Sequence, residues 1–463
     1  MRSTKLYVIV VFALVAILAA ACGSPAAPAA EAPAAEAPAA AEEAAPAEAT
    51  AAPAEEEAAP EATTAPAEEE AAPEATAEPA EEEAAPEATA APAEEETTAA
   101  AEATAEPAEE AAMTGTMTDT MTNTVAMADG FNAPQGILVD PDGNVWVIDS
   151  GVGGDEEVDF FNTQTLEQVV APFGETTQVV RINADGSQDV VATLPSLLLG
   201  MESLGGARLA LLDGTLYATV GQGAGDPEVE TLPNFGAVVR IDADGVTEVA
   251  NLWDFERAEN PDGTAYDSHP YGIAAGPDGM LYVADAGAND LLKVDPSSGE
   301  VSLVAVFDPM EGVFPSPTRD GAMLTDPVPT GVVVDADGNA YVALLSGAPF
   351  IPGTSKVVMV APDGTVSDYA GGFTMLTDLR FGPDGALYGV QIGMLSEEGP
   401  VPNVGSIVRI QGGEDFEAVA EGLAYPTSVD FNAAGDAFVT INGGFSPPGT
   451  GAVVEIPGLA ASE

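Results

Sequence analysis

From Val125 onward the chain is a succession of short apolar runs, broken at regular intervals by Gly, Asp, Asn and Pro. Six segments share one pattern, a turn glycine followed three residues later by an aromatic: "GNVWVID" from Gly143, "GTLYATV" from Gly214, "GMLYVAD" from Gly279, "GNAYVAL" from Gly338, "GALYGVQ" from Gly385 and "GDAFVTI" from Gly435. An apolar run precedes each glycine, in most copies through a "PDG" or "ADG" triplet, the chemistry of a tight hairpin turn. Each unit therefore opens with two antiparallel strands. A third follows, as in "QVVRI", "LLKVD" or "AVVEI", and a fourth such as "VSLVAVF" leads into the next unit. With the glycines 47 to 71 residues apart, the repeat predicts an all-β fold, a six-bladed β-propeller of four-stranded antiparallel blades.

The sixth unit stops at "AVVEIPG" and lacks a fourth strand, whereas "VAMADGFNAP", Val125 to Pro134, aligns with "AVAEGLAYP", the fourth strand of the fifth unit and its exit. The N-terminal strand is thus predicted to complete the sixth blade and close the ring, which removes two open sheet edges. The propeller spans residues 125–458 and a short C-terminal tail covers 459–463.

Aligned back from the turn glycines, the inner strands place Ile137, Ile273, Val332, Leu379 and Val429 at one position, and Val139, Ala275, Val334, Phe381 and Phe431 two residues on. Both sets are expected to pack between blades. The position between them holds Leu138, Ala274 and Val333, then Arg380 and Asp430, which should pair across adjacent strands. With Asp378 they form a candidate polar patch on the channel wall, although an inter-blade salt bridge is the simpler reading. Blade two is one residue shorter, which leaves its register open.

The only histidine, His269, stands in "AYDSHPYG" at the end of a long loop that begins near Trp253. With Asp267 and Tyr271 it is a candidate ligand contact at one channel mouth. No second histidine completes a cluster and no serine is identifiable for a Ser/His/Asp arrangement, so no catalytic residue is assigned and a structural role is the plainer reading.

The chain begins MRSTKLYVIVVFALVAILAAAC, with a basic n-region, a short apolar run and small residues leading into Cys22, its only cysteine. This is predicted to be a signal peptide over 1–21, with Cys22 as the lipid attachment site, so that the N-terminal lipid anchors the protein to the outside of a bacterial cell membrane. A lone thiol excludes an internal disulfide framework. Residues 22–124 form a tether. Its Ala/Pro/Glu part repeats "PAEEEAAPEAT" every thirteen residues and closes with "MTGTMTDTMTNT". Prolines at short intervals and 25 glutamates predict a disordered, extended segment.

Three stretches carry a resemblance: "FNAPQGILVDPDGN", "NPDGTAYDSHPYGIAAGPDGMLYVADAGANDLLKVD" and "VPTGVVVDADGNAYVALLSGAPF". They are similar to the ScyD/ScyE family of secreted propellers, over about residues 131–457, with "PDG" turns shared more widely by NHL-repeat and gluconolactonase-like propellers. The resemblance implies six blades outside the cytoplasm and supplies no catalytic residues. The family pattern carries Asn where this chain has His269, which counts against a role that needs an imidazole. Gluconolactonase-like propellers hold a divalent cation and begin the first inner strand with Glu-Gly-Pro. "NAPQG" stands there instead, without a carboxylate. "DPDGN" from Asp140 and "DADGN" from Asp335 contain part of a calcium-loop pattern but lack its remaining ligands. No cofactor is assigned from the sequence, and Ca2+ is the one ion it admits.

Residues 113–463 carry 51 acidic and 9 basic side chains, which excludes nucleic acid as a partner. Four of the nine cations, Arg181, Arg240, Lys293 and Arg409, share one third-strand position and are expected to pair with neighbouring carboxylates. The sequence therefore predicts a lipid-anchored, monomeric propeller that binds or scaffolds an unidentified extracytoplasmic ligand or protein. A metal-assisted hydrolase or lactonase at the channel mouth, and a purely structural cell-surface protein, are the alternatives.

Overall fold

The computed structural model describes residues 123–461, apart from residues 164, 166, 184, 230, 317, 318 and 397. The signal segment, Cys22 and nearly all of the tether lie outside the described residues. Six sheets carry the predicted repeat. Their inner strands are Pro134–Val139, Gly206–Leu212, Pro270–Ala275, Pro329–Val334, Leu376–Phe381 and Ser428–Phe431, which define blades one to six in chain order. Every neighbouring pair within a blade is antiparallel. Val125–Phe131 pairs antiparallel with Gly451–Ile456, the last strand of blade six, from Val125 opposite Glu455 to Phe131 opposite Gly451. The ring is closed by chain ends, as the missing strand requires.

Each blade is covered on both faces, so its middle strands read as nearly continuous apolar runs. Six apolar clusters fill the six seams. One joins Leu138, Ile148 and Val179 of blade one to Leu209, Ala218 and Val239 of blade two. The closing seam joins Phe131, Phe438 and Val453 to Ile137, Val147 and Val180. The repeated aromatics stand directly opposite the repeated cations, Trp146 opposite Arg181, Tyr217 opposite Arg240, Tyr282 opposite Lys293 and Tyr388 opposite Arg409. All four cations also pair with a carboxylate, at 2.9 to 3.3 Å.

Two features depart from four equal strands per blade. Blade one has six strands, because the first half of its 16-residue third strand, Glu167–Ile182, pairs with Glu156–Asn162, and Glu202–Leu204 pairs with the end of its fourth, Gln188–Leu199. The long loop between blades two and three contains a helix, Leu252–Glu259. The Asn251 side chain caps it by accepting from the Asp254 amide, and Asn260 ends it in the left-handed conformation at φ 40°, where Asn is tolerated better than most residues.

Candidate functional site: the central channel and its two mouths

The inner strands set a ladder of levels along the channel. Strand pairing fixes the register of blade two: Ala210 lies opposite Tyr217, as Leu138 lies opposite Trp146 and Ala274 opposite Tyr282. Ala210 therefore completes the level that holds Val333, Arg380 and Asp430. These residues wall a cavity of about 370 Å³ that also touches Pro141, a residue of the first tight turn. Arg380 Nε lies 3.3 Å from Asp430 Oδ1, with 22% and 11% of their side chains exposed. Asp430 Oδ2 accepts from the Val139 amide at 2.7 Å, and Arg380 also donates to the Ile137 carbonyl at 3.3 Å. Burial raises the Asp430 carboxyl, and Arg380 opposes that shift. The second apolar set packs into the seams as expected for Val139, Val334, Phe381 and Phe431, but all of these except Phe431, together with Ala275, are only partly buried and also line the cavity.

Deeper in the channel stands Arg208, which sequence reasoning missed. Its position in blade two corresponds to Gly136, Gly272 and Gly331 in blades one, three and four, and to Asp378 and Ser428 in blades five and six. Only 4% of its side chain is exposed. The guanidinium donates to the carbonyls of Gln135, Ala207, Thr377 and Thr427, which occupy one equivalent position in blades one, two, five and six. A register shift at that point of each of these inner strands but the sixth, of the kind that re-aims backbone groups, accompanies the inward carbonyls. Nε lies 3.4 Å from Asp378 Oδ1, and the guanidinium carbon sits 4.5 Å from the Tyr271 ring centroid. Burial opposes the charge, but Tyr271 and Asp378 outweigh it and hold the pKa above the ordinary arginine value. Arg208 thus crosses the axis and ties together five of the six blades. The available signal was a lone Arg in the apolar run "GGARLALL", hidden by the open register of blade two.

The six predicted channel residues fall into two groups. Asp267, His269, Tyr271 and, through Arg208, Asp378 belong to the end where inner strands begin. Arg380 and Asp430 belong to the end where they finish. Tyr271 donates from its hydroxyl to Gln135 Oε1 at 2.8 Å and meets the His269 ring edge-on at 5.7 Å. His269 is partly buried, and its surroundings lower its pKa to about 4 by desolvation, so the imidazole is neutral at pH 7. Asp267 accepts from Gln222 Nε2 at 2.6 Å, and burial pushes its carboxyl up to about 7. Asp378 accepts from Ser428 Oγ at 2.5 Å and serves as a brace between blades five and six.

The channel axis does not suit a metal ion. Its inward carbonyls, the donors a hard cation would use, already hold a guanidinium, whose charge would repel a second cation. The two sequence stretches with a partial calcium pattern are also occupied internally. Asp140 accepts from the Asp142 and Asn144 amides, the Asn144 side chain and Trp146 Nε1, and Asp335 accepts from the Asp337 and Asn339 amides, the Asn339 side chain and Tyr341. Both are turn braces.

No protein-family model and no curated protein matches this chain. Among solved structures it is similar to virginiamycin B lyase from Staphylococcus aureus, with 16% identity, 68% of this chain and 80% of that one covered, and a TM-score of 0.39. It is also similar to the calcium-binding protein regucalcin from Agrobacterium tumefaciens, at 13% identity, 73% and 94% coverage and a TM-score of 0.40. A gluconolactonase from Xanthomonas campestris shows 11% identity, 73% and 99% coverage and a TM-score of 0.39. These neighbours are propeller-like, and likeness at this level says nothing about activity.

Proposed function

We propose that the protein is a lipid-anchored, extracytoplasmic binding module of ScyD/ScyE type whose ligand enters the cavity at the mouth where the inner strands end. The observation that carries this reading is the wall of that cavity. Its side chains are apolar except for one partly exposed guanidinium–carboxylate pair, which together with backbone groups gives the lining substantial polar surface, and about 370 Å³ suits a small molecule with both apolar and polar groups. The apolar side chains supply affinity, and the pair orients the polar groups. Arg208, which does not line the cavity, joins the inner strands that carry its wall, and such bracing lowers the ordering cost of binding. Cys22 and the tether would hold this domain away from a membrane.

The test is a thermal-shift and calorimetric screen of small amphipathic molecules on the full chain. A ligand of this site loses affinity in Arg380→Leu and in Asp430→Asn and keeps it in Arg181→Gln, which lies away from the channel. A binding hit indifferent to both channel variants sinks the reading. A second reading rests on Asp267, a carboxyl titrating near neutrality at the opposite mouth and hence suited to general acid–base work. It expects hydrolysis of a lactone or ester that Asp267→Asn abolishes with substrate binding retained. A purely structural protein shows neither.

A further inference from the structure

The acids around the loop-rich mouth divide into two kinds. Asp285 is fully buried, yet four donors satisfy it, the amides of His269, Gly287 and Ala288 and the Ser268 hydroxyl. Asp149 does the same work in blade one, accepting from Asn132, Ala133 and Gly151. These carboxylates brace the start of an inner strand. Glu256, on the helix Leu252–Glu259, and Asp290, at the start of the strand Asp290–Val294, are 1% and 0% exposed, and among the described residues neither has a hydrogen-bond donor on either oxygen. The Asp267 amide eases Glu256 electrostatically without reaching hydrogen-bond geometry. Asn289, 3% exposed, donates its amide nitrogen to Asp262 at 2.9 Å and leaves its own oxygen unpartnered.

Five buried oxygens of this cluster therefore lack donors among the described residues. Two belong to each carboxylate and one to the amide, and an unmatched buried charge is among the costliest features a fold can hold. Burial and the neighbouring Asp285, Asp262 and Asp267 push the Glu256 carboxyl up to about 8. Burial, Asp285, Glu256 and Asp262 raise Asp290 well above the carboxylate range. The nearby cation, Arg319, pairs with Asp326 at 2.5 Å and reaches Asp262 only at 3.9 Å, while its buried Nε has no partner among the described residues. Nor is Asp290 part of the repeat. The residues paired in its place in the other blades are Gln178, Ala237, Lys356, Ser406 and Ala452.

We propose that Glu256, Asp290 and the Asn289 amide oxygen form a binding site for a hard divalent cation, with calcium the fitting ion, which ties the helix between blades two and three to the third strand of blade three. Turned to one point, the two carboxylates and the amide would supply up to five of the six to eight oxygens that calcium takes, the two carboxylates match its charge, and burial disfavours magnesium, which retains several waters. Among the described residues no three His, Cys, Asp or Glu side chains converge on one point. This donor set needs only two carboxylates and an amide. The site is remote from the axis that Arg208 fills, and by fastening the loop that leads to Asp267 and His269 it would order that mouth.

The full chain, stripped with EDTA and held at pH 7.5, is titrated with terbium. Trp253, three residues before Glu256 on the same helix, is positioned to sensitise its emission. One saturable site is expected, displaced by calcium and not by comparable magnesium, together with a calcium-dependent rise in Tm. Tether glutamates add only a weak, non-saturating background. The isosteric double variant Glu256→Gln/Asp290→Asn should lose the site by more than the roughly 10–100-fold that removal of an outer-shell partner costs, and should be no less stable than wild type in EDTA. Exposed Asp337→Asn should change nothing. Glu256→Gln alone must also weaken binding, which keeps the idea testable if the double variant misfolds. Absence of a saturable site, its survival in either variant, or a Tm that responds to acid and not to calcium overturns the proposal, the last outcome meaning that the two acids share a proton.

Discussion

Where the inner strands end, five of the six connections are closed by one repeated hydrogen-bond pair, seen at residues 140–144, 276–280, 335–339, 382–386 and 432–436. Where they begin, the connections include a hairpin of blade one, the helix of residues 252–259, and long loops of blades three to six. The first mouth repeats, and its polar atoms are satisfied within each turn. The second does not repeat, and there the chain buries Arg208, Glu256, Asp285 and Asp290. Uniform turns give a shallow apolar funnel with one ion pair. Irregular loops give enclosure, and enclosure makes every charge expensive or useful.

The comparison breaks most visibly at Arg208. Arg208→Met should destabilise the domain by about 3–5 kcal/mol, because Asp378 and four inward carbonyls lose a buried partner. Urea denaturation measures it, and a loss below about 1 kcal/mol would mean that water replaces the guanidinium, so that the channel is open.

The next test uses pH on metal-free protein. Glu256 and Asp267 have folded values of about 8 and about 7, above their unfolded references of 4.5 and 3.8. Across that interval the folded state binds more protons than the unfolded one, so their contribution to stability falls as pH rises and is gone above the folded values. His269 acts in reverse between about 4 and 6.5, where its folded value is depressed. Between pH 6.5 and 8 only raised acids act, and stability should fall by at least about 2 kcal/mol at about 1.4 kcal/mol per pKa unit, with Asp290, also raised, adding to the fall. Calcium should flatten that slope if the proposed site exists.

At the opposite mouth, Arg380→Leu alone should cost about 1–3 kcal/mol by leaving Asp430 without its counter-ion in a partly buried wall. The double variant Arg380→Leu/Asp430→Asn should recover most of this loss, since Asn still accepts from the Val139 amide. Denaturation midpoints of the two variants and wild type give the coupling. The smallest effect belongs to the outer cations. Arg181 and Asp189 are 40% and 53% exposed, so Arg181→Gln should change stability by less than about 1 kcal/mol, and less still in salt.

Of the candidate site, the pairing of Arg380 with Asp430 was legible because both residues sit at equal height in aligned repeats, and alignment translates directly into neighbouring blades. The separation of Asp267, His269 and Tyr271 from that pair was legible only in part, since the long loop marks a mouth without placing its side chains. Arg208 escaped because one missing residue in blade two hides its register, and because its partners are backbone carbonyls, which every sequence has. The unmet carboxylates of Glu256 and Asp290 escaped for a related reason. An acidic chain has many carboxylates, and only coordinates distinguish those with donors from those without.

By itself the sequence determined the blade count, the antiparallel order of strands, the closure of the ring by its first strand and the repeated pairing of third-strand cations with carboxylates. All of these follow from periodicity and from short-range turn chemistry that is written residue by residue. Tertiary structure alone decided which charge fills the axis, which acids are satisfied and which mouth encloses. Those depend on groups brought together from 16 to 291 positions apart, and burial there sets the energy of each charge through distances that no local pattern encodes.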